Sequence, residues 1–152
     1  MCIRDRSEFI VDVAGTTDVG AFFPHRVTYH SSCHSRRFIK VGERPKELLR
    51  NVEGLELVDL PNEEECCGFG GTFSVKMPEV SAAMVSDKTM HIKETKAEYV
   101  TAGDSSCLMN IAGAMSRQHN GIRALHMAEI LASTKEHPLT PTSAAYSKEK
   151  ML

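Results

Sequence analysis

The fold of this chain is decided by residues 55–71, which begin Leu55-Glu56-Leu57-Val58-Asp59-Leu60 and end Cys66-Cys67-Gly68-Phe69-Gly70-Gly71. The first run alternates apolar and polar side chains, as a half-buried β-strand does. Pro61 opens the loop that carries the two adjacent cysteines and three glycines. The stretch therefore predicts a strand followed directly by a loop that bears chemistry.

Strands and helices alternate on both sides of this stretch. Further strands are predicted at 26–30, 98–101 and 122–125, and a long helix at 78–96 with Val80 and Met84 on one face. Strands that alternate with helices form βαβ units. We therefore predict an α/β fold, a mostly parallel four-stranded sheet flanked by helices. The other predicted helices begin at Pro45, after a cap at Asp104 or Ser105, and near Met127.

Four cysteines follow three successive predicted strands. Cys33 follows the first strand, Cys66 and Cys67 follow the second, and Cys107 follows the third. Because parallel strands end at one edge of the sheet, these loops meet there. The sequence therefore predicts that the four thiols converge.

The number and spacing of the cysteines favour a metal centre over disulfides. Five cysteines is an odd number, and adjacent Cys66 and Cys67 could bridge each other only in a strained ring. Four thiolates can bind zinc or an iron–sulfur cluster, and the sequence has no Cys-x-x-Cys knuckle of the kind zinc sites use. Gly68 and the glycines after it would let the backbone wrap around an inorganic core. The helix start near Cys107 is expected to lower the pKa of that thiol.

Charge and hydropathy argue against several other classes of protein: nucleic-acid-binding, membrane-spanning and secreted proteins. The formal net charge is −2 and basic runs are absent, which gives no electrostatic reason to bind nucleic acid. Apolar stretches are far shorter than the roughly 20 residues of a membrane span. Residues 9–13 are too short, and too broken by Asp12, for a signal peptide. We therefore predict a cytoplasmic protein without a membrane span.

Three segments carry a resemblance to a known family. They read Tyr29-His30-Ser31-Ser32-Cys33-His34, Cys66-Cys67-Gly68-Phe69-Gly70-Gly71-Thr72-Phe73-Ser74-Val75-Lys76 and Cys107-Leu108-Met109-Asn110-Ile111. Together they resemble the cysteine-rich CCG domain found in heterodisulfide reductase and in the glycolate oxidase iron–sulfur subunit. The strongest resemblance, over about residues 7–133, is to the second CCG domain of the lactate utilization protein A family.

The resemblance implies a cofactor, a function and partners. The cofactor would be an iron–sulfur cluster, expected as [4Fe–4S], with Cys33, Cys66, Cys67 and Cys107 as metal ligands and Gly68 against the cofactor. The chain would be the electron-transfer subunit, in its C-terminal half, of an oxidoreductase complex that converts L-lactate to pyruvate. No catalytic residue is assigned. The expected partners are other iron–sulfur subunits of that complex and a missing N-terminal CCG domain.

Several alternatives stay open at this point. The family pattern ends in Cys-x-x-Cys, but Asn110 stands at its second cysteine. A conventional four-iron cluster and a cluster with one non-cysteine ligand both fit that departure. His30 and His34, which flank Cys33, could ligate metal, hydrogen-bond to sulfide or be solvated. Thiol–disulfide redox catalysis, as in heterodisulfide reductase, and a structural zinc or interaction module are the alternative functions.

The domain organisation follows from the same features. Residues 1–6 resemble a translated sequencing adapter and are predicted to be non-native, including Cys2. Residues 7–134 form the predicted CCG domain. Residues 135–152 lack periodicity and are predicted to be a flexible tail.

Overall fold

A computed structural model describes residues 4–139. Its sheet has four strands in the order β2-β1-β3-β4, and all three neighbouring pairs are parallel. The strands are β1 (Arg26–Tyr29), β2 (Glu56–Val58), β3 (Tyr99–Ala102) and β4 (Arg123–His126). The predicted α/β fold with a parallel four-stranded sheet is confirmed.

Helices connect the strands and flank the sheet. The long predicted helix is α4, and Asp104 is the residue that caps α5 through its side chain. The helices are α1 (Arg6–Glu8), α2 (Arg44–Arg50), α3 (Thr72–Lys76), α4 (Pro78–Glu94), α5 (Ser105–Gln118) and α6 (Met127–Ala132), with π-helical segments at Phe9–Val13 and His34–Ile39.

The strand order places a switch point at the centre of the sheet. β1 and β3 are neighbours, but the chain leaves β1 outward to β2 and leaves β3 outward to β4. The loops after β1 and β3 therefore diverge and open a crevice at the carboxyl edge. Open α/β sheets bind ligands in such a crevice.

Two buried cores lie on opposite faces of the sheet. Val27 and Tyr99 contribute to one core, with Leu49 of α2 and Ile130 of α6. Val100, whose side chain alternates to the other face, belongs to the second core. That second core also holds Ile92 of α4, Ile111 of α5 and two cysteines, Cys67 and Cys107.

The buried face of α4 differs from the predicted one. Val80 is exposed and Met84 is half-buried, while Ser81, Val85 and Lys88 point inward. The helix turns this mixed face toward the cysteine loop, where Ser81 and Lys88 find backbone acceptors. The buried face predicted from apolar periodicity is therefore wrong, because polar contacts with the cysteine loop orient the helix.

The structure describes only part of the two terminal segments that were predicted from the sequence. Asp5 caps α1, while residues 1–3, and Cys2 with them, lie outside the described residues. Leu139 packs against the first core, whereas residues 140–152 of the predicted tail also lie outside the description. Within 4–139, helices fall short of the length and apolar character that crossing a membrane requires.

Candidate metal centre

The loop after β1 delivers His30 and Cys33. The His30 backbone N–H donates to the Thr101 carbonyl at 2.8 Å, so the β1–β3 ladder continues one residue past the strand. Ser32 accepts a hydrogen bond from the Ser35 backbone N–H at 3.2 Å, which fixes the turn into the π-helical segment. His30 is thereby held fully buried, and Cys33 is exposed at the start of that segment.

The loop after β2 bends sharply around the two adjacent cysteines. Gly68 has a φ of +81°, and a Cβ there would lie 2.6 Å from the Ser81 carbonyl oxygen. The Ser81 hydroxyl donates to the Gly68 carbonyl at 2.7 Å, and the Gly68 N–H donates to the Cys66 Sγ at 3.3 Å. Glycine is therefore required where the loop passes over α4.

Two polar side chains anchor this loop from below. The Lys88 ammonium, with no exposed surface, donates to the Asn62 carbonyl at 2.7 Å, and desolvation by burial lowers the pKa of Lys88. The Asn110 amide donates to the Cys67 carbonyl at 2.8 Å. Both contacts hold backbone carbonyls, so they set where the sulfur atoms of the loop lie.

The third loop ends in the cap of α5. The Asp104 carboxylate accepts from the backbone N–H groups of Ser106 at 2.9 Å and Cys107 at 3.3 Å. This cap satisfies the first turn of the helix and fixes Cys107 on the side that faces the cysteine loop.

Three atoms that could bind a metal lie close together, one from each of the segments that follow β1, β2 and β3. The ring nitrogen of His30 and the sulfurs of Cys67 and Cys107 lie within 4.8 Å of one another, and all three residues are buried. Half-buried Cys66 and exposed Cys33 lie at the outer side, where Cys33 adds to the rise in the pKa of Cys66. The site therefore has a buried triad and an outer pair of thiols.

The pKa values of the two buried thiols are shifted in opposite directions. The Cys107 side chain is the main cause that holds the pKa of Cys67 well below its usual range, and the nearby His30 imidazole adds to the effect. The Cys67 side chain and burial raise the pKa of Cys107 in turn. The expected lowering of the Cys107 pKa by the helix start is thus reversed, because the interaction with Cys67 and burial both raise it. For Cys66, burial is the main cause of a raised pKa.

The four cysteines were predicted from the sequence as metal ligands, whereas the role of His30 was left undecided. The structure brings Cys67 and Cys107 together with His30 and leaves His34 exposed beside Cys33. The signal that could have singled out His30 is its position directly after β1, one of the two central strands, inside the crevice. That signal needs the strand order, which periodicity does not supply.

The donor set fits a bound metal or iron–sulfur group. Both ring nitrogens of His30 are buried without a hydrogen-bond partner among residues 4–139. Buried polar groups are normally satisfied, so an unpaired imidazole beside two buried thiols points to a ligand. Thiolate and imidazole are the donors of zinc and of iron–sulfur centres.

Comparisons with known proteins agree with this site. The family model of the cysteine-rich CCG domain matches residues 27–112, which contain Cys33, Cys66, Cys67 and Cys107. Lactate utilization protein A of Oceanobacillus iheyensis is 51% identical over 130 residues, 86% of this chain and 53% of that protein. The protein of the same name from Geobacillus sp. strain WCH70 is 54% identical over 127 residues, 84% of this chain and 53% of that protein.

The similarities cover only part of the relatives' length, and they identify the family. The chain spans about half the length of the curated relatives it matches. The predicted resemblance to the lactate utilization protein A family is confirmed, and the matching region runs from β1 into α5. The chain belongs to the family of cysteine-rich CCG domains.

Proposed function

We propose that the chain is an iron–sulfur electron-transfer domain whose cluster, of the [4Fe–4S] type, is held by Cys33, Cys66, Cys67 and Cys107. Such a cluster supplies one-electron transfer when bound. The observation that carries the proposal is that all four cysteines lie in the segments that follow β1, β2 and β3, at the carboxyl edge of one parallel sheet and beside its switch point.

The residues of the chain have distinct tasks in this proposal. The buried pair, Cys67 and Cys107, holds the inner side of the cluster, and Cys33 with Cys66 holds the outer side, nearer to solvent. Gly68 would lie against the cluster, and its lack of a side chain lets the loop that carries Cys66 and Cys67 pass close to α4, where a Cβ would collide with the Ser81 carbonyl. An exposed outer ligand shortens the path for an electron to a docked partner.

The wider role we propose is in lactate oxidation. It rests on relatives that are about half identical and are named lactate utilization protein A. Oxidation of L-lactate to pyruvate releases two electrons and two protons, and the domain would pass the electrons on one at a time. We propose that it works in the cytoplasm with a further CCG domain and with other iron–sulfur subunits.

Metal loading tests the cluster. The chain, purified without oxygen and incubated with ferrous iron and sulfide, should turn brown and bind iron and sulfide in equal amounts. Total metal analysis and visible absorption measure the outcome. Uptake of zinc with no retention of iron would contradict the proposal.

Lactate-dependent dye reduction tests the wider role. The isolated chain should show no turnover, since it has no dinucleotide-binding Gly-x-Gly-x-x-Gly turn to accept a hydride. Combined with the remaining half of a lactate utilization protein A and its partner subunits, it should restore turnover. Full activity of the isolated chain would contradict a subunit role.

One observation favours a second candidate. The His30, Cys67 and Cys107 donor atoms, within 4.8 Å of one another, are close enough to surround a single zinc ion. The function would then be a structural zinc module without redox activity. The metal analysis above separates the two candidates, because only the first requires acid-labile sulfide.

A further inference from the structure

We propose that His30 is a direct ligand of the cluster and would bind it through a ring nitrogen, beside Cys67 and Cys107. This inference rests on the iron–sulfur function proposed above and names the non-cysteine ligand of that centre.

The first support is the burial of an unpaired imidazole. His30 has 0% exposed surface, and within residues 4–139 neither ring nitrogen finds a hydrogen-bond partner. Removing a polar ring from water without compensation is unfavourable. A metal bond to one nitrogen would remove that cost, and the ring is already directed at two buried sulfurs.

The second support is that the backbone fixes the ring before any ligand arrives. The His30 N–H donates to the Thr101 carbonyl at 2.8 Å, directly after β1. Tyr29, which precedes it, and Ser32, two residues after it, are buried as well. A side chain on such a rigid element is preorganised, whereas His34 lies exposed on a π-helical turn.

The third support comes from Asn110, which stands where the family pattern has a further cysteine. Its amide donates to the Cys67 carbonyl at 2.8 Å, so this side chain holds the loop in place. The position that would supply a fifth sulfur therefore serves as an anchor. His30 is the remaining buried donor beside Cys67 and Cys107 in the described part of the chain.

The chemical consequence concerns charge. Compared with a cysteine thiolate at position 30, a neutral imidazole leaves the centre one negative charge lighter, which favours the reduced form. Histidine ligation raises the reduction potential in other iron–sulfur centres for this reason. We therefore expect His30→Cys to lower the reduction potential of the reconstituted centre while retaining its iron.

The test uses the full chain, labelled with ¹⁵N-histidine and reconstituted with ferrous iron and sulfide. Pulsed electron paramagnetic resonance of the reduced sample should show the hyperfine coupling of a nitrogen bound directly to iron. His34→Ala is the matched control and should keep that coupling. His30→Cys should lose it and retain iron, and redox titration of the two variants should show the lower potential only in His30→Cys.

Each outcome separates the role of His30 from the proposed function. A wild-type chain that forms a cluster without bound-nitrogen coupling overturns the role of His30 and leaves the proposed function standing. Persistence of the coupling in His30→Cys does the same. Failure of the wild-type chain to bind iron overturns the proposed function and this inference with it. If His30→Cys does not fold, the labelled wild type and His34→Ala still decide the matter.

Discussion

Two histidines at opposite ends of β1 have opposite surroundings. At the amino end, the Nδ1 of His25 lies 2.8 Å from the Glu98 carboxylate, and its ring packs against Phe23 and Tyr99. At the carboxyl end, His30 is more deeply buried and, in the described region, has neither ring nitrogen paired. The amino end is thus satisfied within the chain, and the carboxyl end is not.

Stability and function reside at opposite edges of the sheet in this domain. Aromatic packing and the His25–Glu98 pair complete the amino edge with groups of the chain itself. At the carboxyl edge, two buried thiols lie close to the His30 imidazole, neither of whose ring nitrogens has a hydrogen-bond partner among residues 4–139. Changes at the carboxyl edge should therefore affect metal binding most, and changes at the amino edge should affect only folding.

Cys67→Ser should have the largest effect. The Cys67 side chain is 2% exposed, and its low pKa makes it the thiolate of the buried pair. A serine hydroxyl does not ionise at neutral pH and is a poor ligand for iron, so we expect iron bound per chain to fall nearly to zero. Iron and sulfide analysis after anaerobic reconstitution measures this loss.

The control for that substitution is Cys2→Ser. Cys2 belongs to the segment predicted to be non-native, and its replacement should leave iron binding unchanged. Equal losses from both variants would show that Cys2 takes part in the centre and that the prediction for residues 1–6 is wrong.

Gly68→Ala should weaken the carboxyl edge through the backbone. The new Cβ would meet the Ser81 carbonyl at 2.6 Å at a φ of +81°, so the loop must shift. We expect the free energy of unfolding to fall by about 2–4 kcal/mol, with weaker iron retention. Denaturant unfolding of the metal-free chain measures the first effect.

Gly113→Ala is the matched control for the glycine substitution. Gly113 lies within α5, where an added Cβ meets no atom within 4 Å in the described structure. Alanine should therefore raise the free energy of unfolding by about 0.5–1 kcal/mol through its helix propensity. Destabilisation by both substitutions would show that the cysteine loop has no special need for glycine.

The sequence predicted the fold well because local patterns and global topology agree. Alternation and turn residues placed all four strands within one or two residues, and Asp104 was recognised as a cap. The buried face of α4 was predicted wrongly because Ser81 and Lys88 point inward and donate to loop carbonyls. Apolar periodicity does not register a polar side chain that is buried with its partner.

The candidate site was predictable only to the level of the cysteine loops. The order of strands and cysteines along the chain brings the loops to one edge, which the structure bears out for Cys67 and Cys107. The place of His30 depends on β1 lying beside β3, a choice of strand order that the sequence pattern does not make. The same holds for Asn110, whose contact with Cys67 joins two distant segments.

Asn110→Ala should have a moderate effect at the carboxyl edge. It removes the 2.8 Å hydrogen bond to the Cys67 carbonyl, which is then left without its partner from α5. We expect a loss of about 1–2 kcal/mol in the free energy of unfolding, with a change in the visible spectrum of the reconstituted chain.

Asn51→Ala removes an exposed hydrogen bond of equal length, to the Glu47 carbonyl, and should cost less than about 0.5 kcal/mol. Equal losses would show that Asn110 contributes no more than a surface side chain does.

Glu98→Gln should have the smallest effect, because it alters the amino edge at its surface. The Glu98 side chain is 56% exposed, so the pair with His25 should contribute only about 0.2–1 kcal/mol. Hydrogen bonds from His25 and from the Arg26 backbone lower the pKa of Glu98 below its ordinary value of 4.5. A lowered pKa means that the folded state favours the carboxylate, so the contribution is present above about pH 4.5 and is lost as the pH falls through the lower folded value. Denaturant unfolding should therefore separate wild type from Glu98→Gln at pH 7 and bring the two together at lower pH, while iron bound per chain stays the same. A loss of iron from this variant would contradict the separation of the two edges, since it would show that the satisfied end of β1 also governs the metal centre.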